Sequence, residues 1–224
     1  MASKKSNKTE RNIESSARFS VAPMMDWTDR HCRYFHRQFT SNALLYTEMV
    51  AAAALVRGRA YHLLDYSTEE HPLALQLGGS DPIQLAEAAS IGESHGYGEI
   101  NLNVGCPSDR VQSGSFGAVL MKNPKLVAAC CEAMKKSTSV NITVKCRIGV
   151  DDQNPEQILP EFLNHISNSG VSRVIIHARK AILKGLSPKE NRDVPPLNYR
   201  IVFKMKEKFP NLHISINGGV TSLI

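Results

Sequence analysis

The residues best suited to chemistry fall in short clusters along the chain: Pro23-Met24-Met25, Gln76, Asn103-Val104-Gly105-Cys106, Lys145-Cys146-Arg147, His177 and Asn217-Gly218-Gly219. Each closes a short apolar run, so polar groups gather where those runs end. Cys106 stands among Gly105, Pro107, Ser108, Gly114 and Gly117, a composition suited to a shaped, mobile loop over a site. A thiol can donate a proton to a carbanion, and an ordinary thiol pKa of ~8.5 leaves it mainly protonated at neutral pH. Lys145 and Arg147 share one side of an extended run, and Cys146 takes the other. A lysine directed into an enclosed space is costly unless it meets an anion or a polar ligand. A lysine paired with a nearby carboxylate is the bland alternative. His177 alone reads as a core histidine, and next to Lys145 on a neighbouring strand it becomes a ligand contact. Asn217-Gly218-Gly219 is either a turn or a place where backbone N–H groups approach a phosphate.

The elements that must position these residues alternate at a steady beat. Strand candidates are 19–23, 44–49, 73–77, 100–104, 142–145, 173–177 and 214–217, the first six short and bounded by turn residues or charge. Helix candidates lie between them at 82–95, 124–136, 155–168 and 198–209. Asp81-Pro82 and Asn123-Pro124 pair a capping side chain with proline at the first helical position. This alternation without a dinucleotide-binding glycine fingerprint predicts an α/β fold, a TIM (β/α)8-type barrel with seven strands in view. In that barrel, active sites collect at the C-terminal ends of strands, where the clusters above lie.

Composition narrows the function classes. The chain has 224 residues and a net charge of +6. The 179–208 stretch holds nine Lys/Arg against three acids, a net of +6 by itself, which suggests a polyanion partner such as nucleic acid or else a solvated helix face. Five cysteines, odd in number and without CxxC spacing, argue against a disulfide framework and against a metal site. No apolar run reaches the ~20 residues of a membrane span. Residues 1–17 mix Lys4, Lys5, Lys8 and Arg11 with Glu10 and Glu14 and read as a disordered polar tail, with 18–224 as one catalytic domain.

The strings APMMDWTDRHCRYF, ALLYTEM, ALQLGGSDP, EINLNVGCPSDRVQSGSFGAVLM, TVKCRIG, IHARKAILKGLSPKENRDVPPL and INGG resemble the tRNA-dihydrouridine synthases. The resemblance runs from about Arg18 to the end, and KGLSPKENR looks most like the bacterial-type A subgroup, which reduces U20 and U20a of the D-loop. It implies FMN as cofactor, NADPH as reductant and tRNA as substrate. By matching positions, Pro23, Met24 and Met25 would line the flavin ring, and Gln76, Lys145 and His177 would hold its polar edge. Asn217, Gly218 and Gly219 would begin its phosphate site. Cys106 would be the general acid, protonating C5 of a uracil that takes hydride at C6, and Asn103, Lys189 and Arg192 would contact tRNA. Relatives commonly carry His where Cys146 stands, a position expected to face the outer helices. The resemblance also implies an eighth βα unit and a helical tRNA-binding domain beyond Ile224. Without them the chain is expected to be poorly stable, to release FMN readily and to be weakly active at best. A monomer is expected, in the cytoplasm, with an organelle as the alternative location. Two other readings stay open: an FMN barrel acting on a free pyrimidine, and an inactive fragment.

Overall fold

The structure is a computed structural model and describes residues 17–222. Seven strands form one parallel sheet in sequence order: β1 (Ser20–Val21), β2 (Leu44–Ala51), β3 (Leu73–Gly78), β4 (Glu99–Val104), β5 (Asn141–Arg147), β6 (Arg173–His177) and β7 (His213–Asn217). The helices are α1 (Arg30–Phe39), α2 (Ala52–Val56), α3 (Pro82–Ser94), α4 (Asp109–Ser113), α5 (Pro124–Ser137), α6 (Pro155–Asn168), α7 (Glu190–Asp193) and α8 (Tyr199–Lys208), of which α2, α3, α5, α6 and α8 pack their buried side chains on one face of the sheet. This is the expected α/β architecture of the TIM-barrel type.

The two-residue period of each strand separates two cores. Leu75, Leu77, Ile100, Leu102, Ile142, Val144, Val174 and Ile176 join the helix side chains Leu85, Val127, Met134, Phe162 and Ile166 in one large cluster. Fully burying each such side chain stabilises the fold by about 1.5–3 kcal/mol. On the inner face Leu44, Tyr46, Ala74 and Ile175 form a smaller cluster with Ala17. Of the expected 1–17 tail, residues 1–16 lie outside the described residues. The remaining inner positions of β3 to β6 are polar, and they build the site.

Helix starts follow the caps seen in the sequence. Asp81 accepts the N–H of Ile83 at 2.9 Å, and Asn123, Asn154 and Asn198 cap α5, α6 and α8 in the same way. Helix α1 is amphipathic in reverse: Cys32, Phe35 and Phe39 stand at helical spacing with both phenylalanines exposed, while arginines anchor its inner side. Arg33 Nε donates to Glu70 at 2.6 Å in a buried ion pair. Arg37 donates to the carbonyls of Thr40, Ala43, Glu70 and Pro72. Strands β1 and β7 end the sheet, with Phe19 beside β1 and Ile216 in β7 both exposed.

Candidate active site at the barrel mouth

Residues that leave the sheet at its C-terminal edge meet around the loop that follows β4. The register places Asn103 beside Lys145, and His177 between Arg147 and Asn217. Asn103 Oδ1 accepts the backbone N–H of Gly105 at 3.0 Å and of Cys106 at 2.9 Å. The half-buried Cys106 Sγ lies 3.6 Å from Ser108 Oγ. The loop is closed from behind, because Ala118 N–H donates to Cys106 O at 2.8 Å. That closure needs Gly117: its φ is +74°, and a Cβ there would lie 2.6 Å from Cys106 O. The segment expected to be a mobile loop is thus tethered at several points, and it contains α4.

Two further tethers were not visible in the sequence. Arg147 Nε donates to Gly105 O at 3.2 Å, and its Nη1 donates to Asn191 O at 2.8 Å. Gln112 Nε2 donates to Pro107 O at 2.8 Å and to Leu183 O at 2.9 Å. Both residues join the Cys106 loop to the segment after β6. Asn191, fully buried, shapes that segment by accepting from Ile182 N–H at 2.8 Å and donating to Ile182 O at 2.9 Å. Period-two spacing had put Arg147 on the inner face, but nothing in the sequence marked Gln112 or Asn191.

Electrostatics at the mouth are one-sided. Lys145 Nζ has neither hydrogen bond nor ion pair among the described residues, which removes the reading of a lysine paired with a carboxylate. Burial, then the neighbouring Arg147 charge, pushes its pKa down to about 8. Burial also pushes Arg147 down to about 10. His177 falls to about 2, through burial first and then the charges of Arg147, Lys145, Arg179 and Arg192, so it is neutral across the physiological range. Arg147 Nη1 stands 3.4 Å from His177 Nδ1, so His177 is level with Arg147, two residues nearer the mouth than Lys145. Sequence alternation assigned these residues a face, and only the register assigns their height.

The other expected residues surround this centre. Pro23 is half-buried, and Met24 and Met25 are exposed in a turn where Met24 O accepts the N–H of Thr28 at 2.9 Å. Gln76 is buried deeper than a rim contact, with both amide ends engaged, to Asn101 at 2.8 Å and Asn103 at 2.9 Å. Gly218 has φ +99°, and a Cβ there would lie 2.8 Å from the His177 ring. Exposed Gly219 follows it. Lys189 and Arg192 flank Asn191, both exposed and without ion pairs among the described residues. Cys146 is fully buried in the outer core, as expected. All five cysteines are free.

The basic 179–208 stretch divides in two. Its first half carries Lys189 and Arg192 at the mouth. Its second half is the outer helix α8, where Lys204 pairs with Glu156 at 3.0 Å and Lys206 Nζ donates to Pro210 O and Leu212 O, both at 2.9 Å. For that half the bland reading of a helix face holds.

The dihydrouridine synthase (Dus) family matches residues 20–223. The chain belongs to this family. Among curated relatives, the tRNA-dihydrouridine(20/20a) synthase of Shigella flexneri is 59% identical over 213 residues, covering 95% of this chain and 62% of that protein. The enzyme of the same name from Escherichia coli (strain K12) is 59% identical, covering 95% of this chain and 61% of its own length. That of Pasteurella multocida (strain Pm70) is 58% identical over 206 residues, covering 92% and 63%. The chain therefore spans a little under two thirds of these dihydrouridine synthases. Among the described residues no helix is long and apolar enough to cross a membrane, and no cluster of His, Cys, Asp and Glu is placed to hold a metal ion.

Proposed function

We propose that this chain carries the catalytic centre of a cytoplasmic, monomeric enzyme that reduces uridine to 5,6-dihydrouridine in tRNA, at positions 20 and 20a. The observation that carries the reading is the pairing of an unpartnered lysine with a tethered thiol at one barrel mouth. Lys145 is a half-buried cation without a protein partner among the described residues, and Asn103, its neighbour in register, holds the Cys106 loop. That donor set fits a flavin, whose pyrimidine edge is electron-rich and gains negative charge on reduction. Lys145 and the neutral His177 would hold that edge, Met24 and Met25 would cover the ring, and Gly218 and Gly219 would admit its phosphate. FMN, reduced by NADPH, would supply the hydride that reaches C6 of the uracil.

Cys106 completes the reduction. As hydride adds to C6, the C5=C6 electron pair moves to C5 and takes the thiol proton, so the ring gains two hydrogens and the thiol becomes a thiolate. The target base must leave its stack to expose that face. Lys189 and Arg192, exposed beside the mouth, would hold the surrounding phosphates. An unmodified tRNA transcript incubated with the chain, FMN and NADPH is expected to yield dihydrouridine at positions 20 and 20a by mass spectrometry. Free uracil and orotate are expected to stay unreduced. Reduction of a free pyrimidine with none in the transcript would overturn the reading.

A further inference from the structure

A chain of side-chain hydrogen bonds climbs from the barrel floor to the Cys106 loop, and both of its ends have a fixed sense. At the floor, Glu99 is ion-paired with Arg173, with Nη2 at 2.5 Å from Oε2 and 2.7 Å from Oε1. Tyr46 OH donates to Glu99 Oε1 at 3.0 Å. A paired carboxylate only accepts, so the Thr143 hydroxyl, 2.7 Å from Oε1, must donate to it. The Thr143 oxygen then accepts from Asn101 Nδ2 at 2.9 Å. That leaves Asn101 Oδ1 to accept from Gln76 Nε2 at 2.8 Å, and Gln76 Oε1 to accept from Asn103 Nδ2 at 2.9 Å.

Asn103 Oδ1 is thereby turned to the backbone N–H groups of Gly105 and Cys106, which only donate. The sense imposed by the carboxylate below agrees with the sense imposed by the amides above. Turning any of the three amides over would set donor against donor and acceptor against acceptor. All five linked side chains are buried, with Asn103 the most exposed at 8%, so water does not substitute for a missing partner.

We propose that Glu99, Thr143, Asn101 and Gln76 are positioning residues, a relay that fixes which way the Asn103 amide faces and so where the Cys106 thiol stands over the lumen. The inference deepens the proposed role of Cys106 and rests on it for its catalytic meaning. It also separates Gln76 from the residues that only line the lumen, because its amide is the link between floor and loop.

The test reads the thiol and needs neither flavin nor tRNA. Cys130, Cys131 and Cys146 are buried, so a Cys32→Ser background leaves Cys106 as the accessible thiol. Iodoacetamide alkylation of Cys106 is followed by peptide mass spectrometry in Thr143→Val, Thr143→Ser, Gln76→Met and the Thr143→Val/Gln76→Met double variant. Thr143→Val is expected to shift the rate, in either direction, by roughly threefold, the scale of one ordinary hydrogen bond. Thr143→Ser keeps the hydroxyl and is expected to restore it. In the Gln76→Met background the relay is already cut, so Thr143→Val is expected to add nothing, whereas independent structural damage would multiply. If Thr143→Val does not fold, Asn101→Leu takes its place in the same cycle. An unchanged rate in folded Thr143→Val, or effects that multiply in the double variant, would overturn the relay. A relay confirmed in this way, with no dihydrouridine formed by the unsubstituted chain, would sink the proposed activity instead.

Discussion

Lys145 stands where a cation is destabilised unless something negative joins it. Its folded pKa of about 8 lies below the ordinary 10.5, so the unfolded chain binds this proton more tightly. Between those values stability rises with pH, and below about 8 the penalty is fully present. Two opposite results are therefore expected of Lys145→Met at neutral pH. The ligand-free variant should melt higher than the parent, and it should hold FMN less tightly, which calorimetry and ultrafiltration of the yellow protein measure separately. A variant that melts lower and retains FMN unchanged would remove Lys145 from the ligand site. The side of the strand on which Lys145, Cys146 and Arg147 lie was legible from alternation alone. What a single sequence does not carry is register, and so the height of His177 and the engagement of Gln76 from below came only with the structure.

Between β4 and α5 the chain makes a closed turn whose geometry depends on Gly117. An alanine there would take an unfavourable positive φ and press its Cβ against the Cys106 carbonyl. Gly117→Ala is expected to cost more than about 1 kcal/mol in urea unfolding and to displace the thiol. Equal stability and an unchanged alkylation rate at Cys106 would show that the turn has slack. At this scale the sequence was most readable where the backbone announces itself. Asp81-Pro82 and Asn123-Pro124 begin helices where the caps predict, and each of the seven runs is a strand. Helix α1 escaped although Cys32, Phe35 and Phe39 share one face, because that face is short and points outward, and the inner contacts are those of Arg33 and Arg37 with carbonyls and Glu70. Helices α4 and α7, of five and four residues, are too short for any period to show.

Across the whole molecule, charge separates into a site and a surface. Lys189 and Arg192 are exposed at the mouth, whereas Lys204 and Lys206 are engaged on the outer helix. Counting charges along the sequence merged the two groups, since composition has no direction. Replacing Lys189 and Arg192 together with Ala is expected to weaken tRNA binding and to lower its log–log salt slope by roughly 0.7–0.9 per lost phosphate contact. The same change at Lys204 and Lys206 should leave that slope in place. A slope that responds equally to both pairs would mean a diffuse surface with no docking path to Cys106.

The catalytic claim itself is decided by the two half-reactions. Protein carrying FMN is reduced with NADPH without oxygen and then mixed with unmodified tRNA, while flavin absorbance and dihydrouridine are followed together. The unsubstituted chain is expected to reoxidise its flavin as dihydrouridine appears, one for one. Cys106→Ala is expected to accept electrons from NADPH at the parent rate and to pass them to tRNA at least ~100-fold more slowly, the usual scale of a lost general acid. Equal rates of flavin reoxidation by tRNA in the two proteins would contradict the assignment of Cys106 as the proton donor.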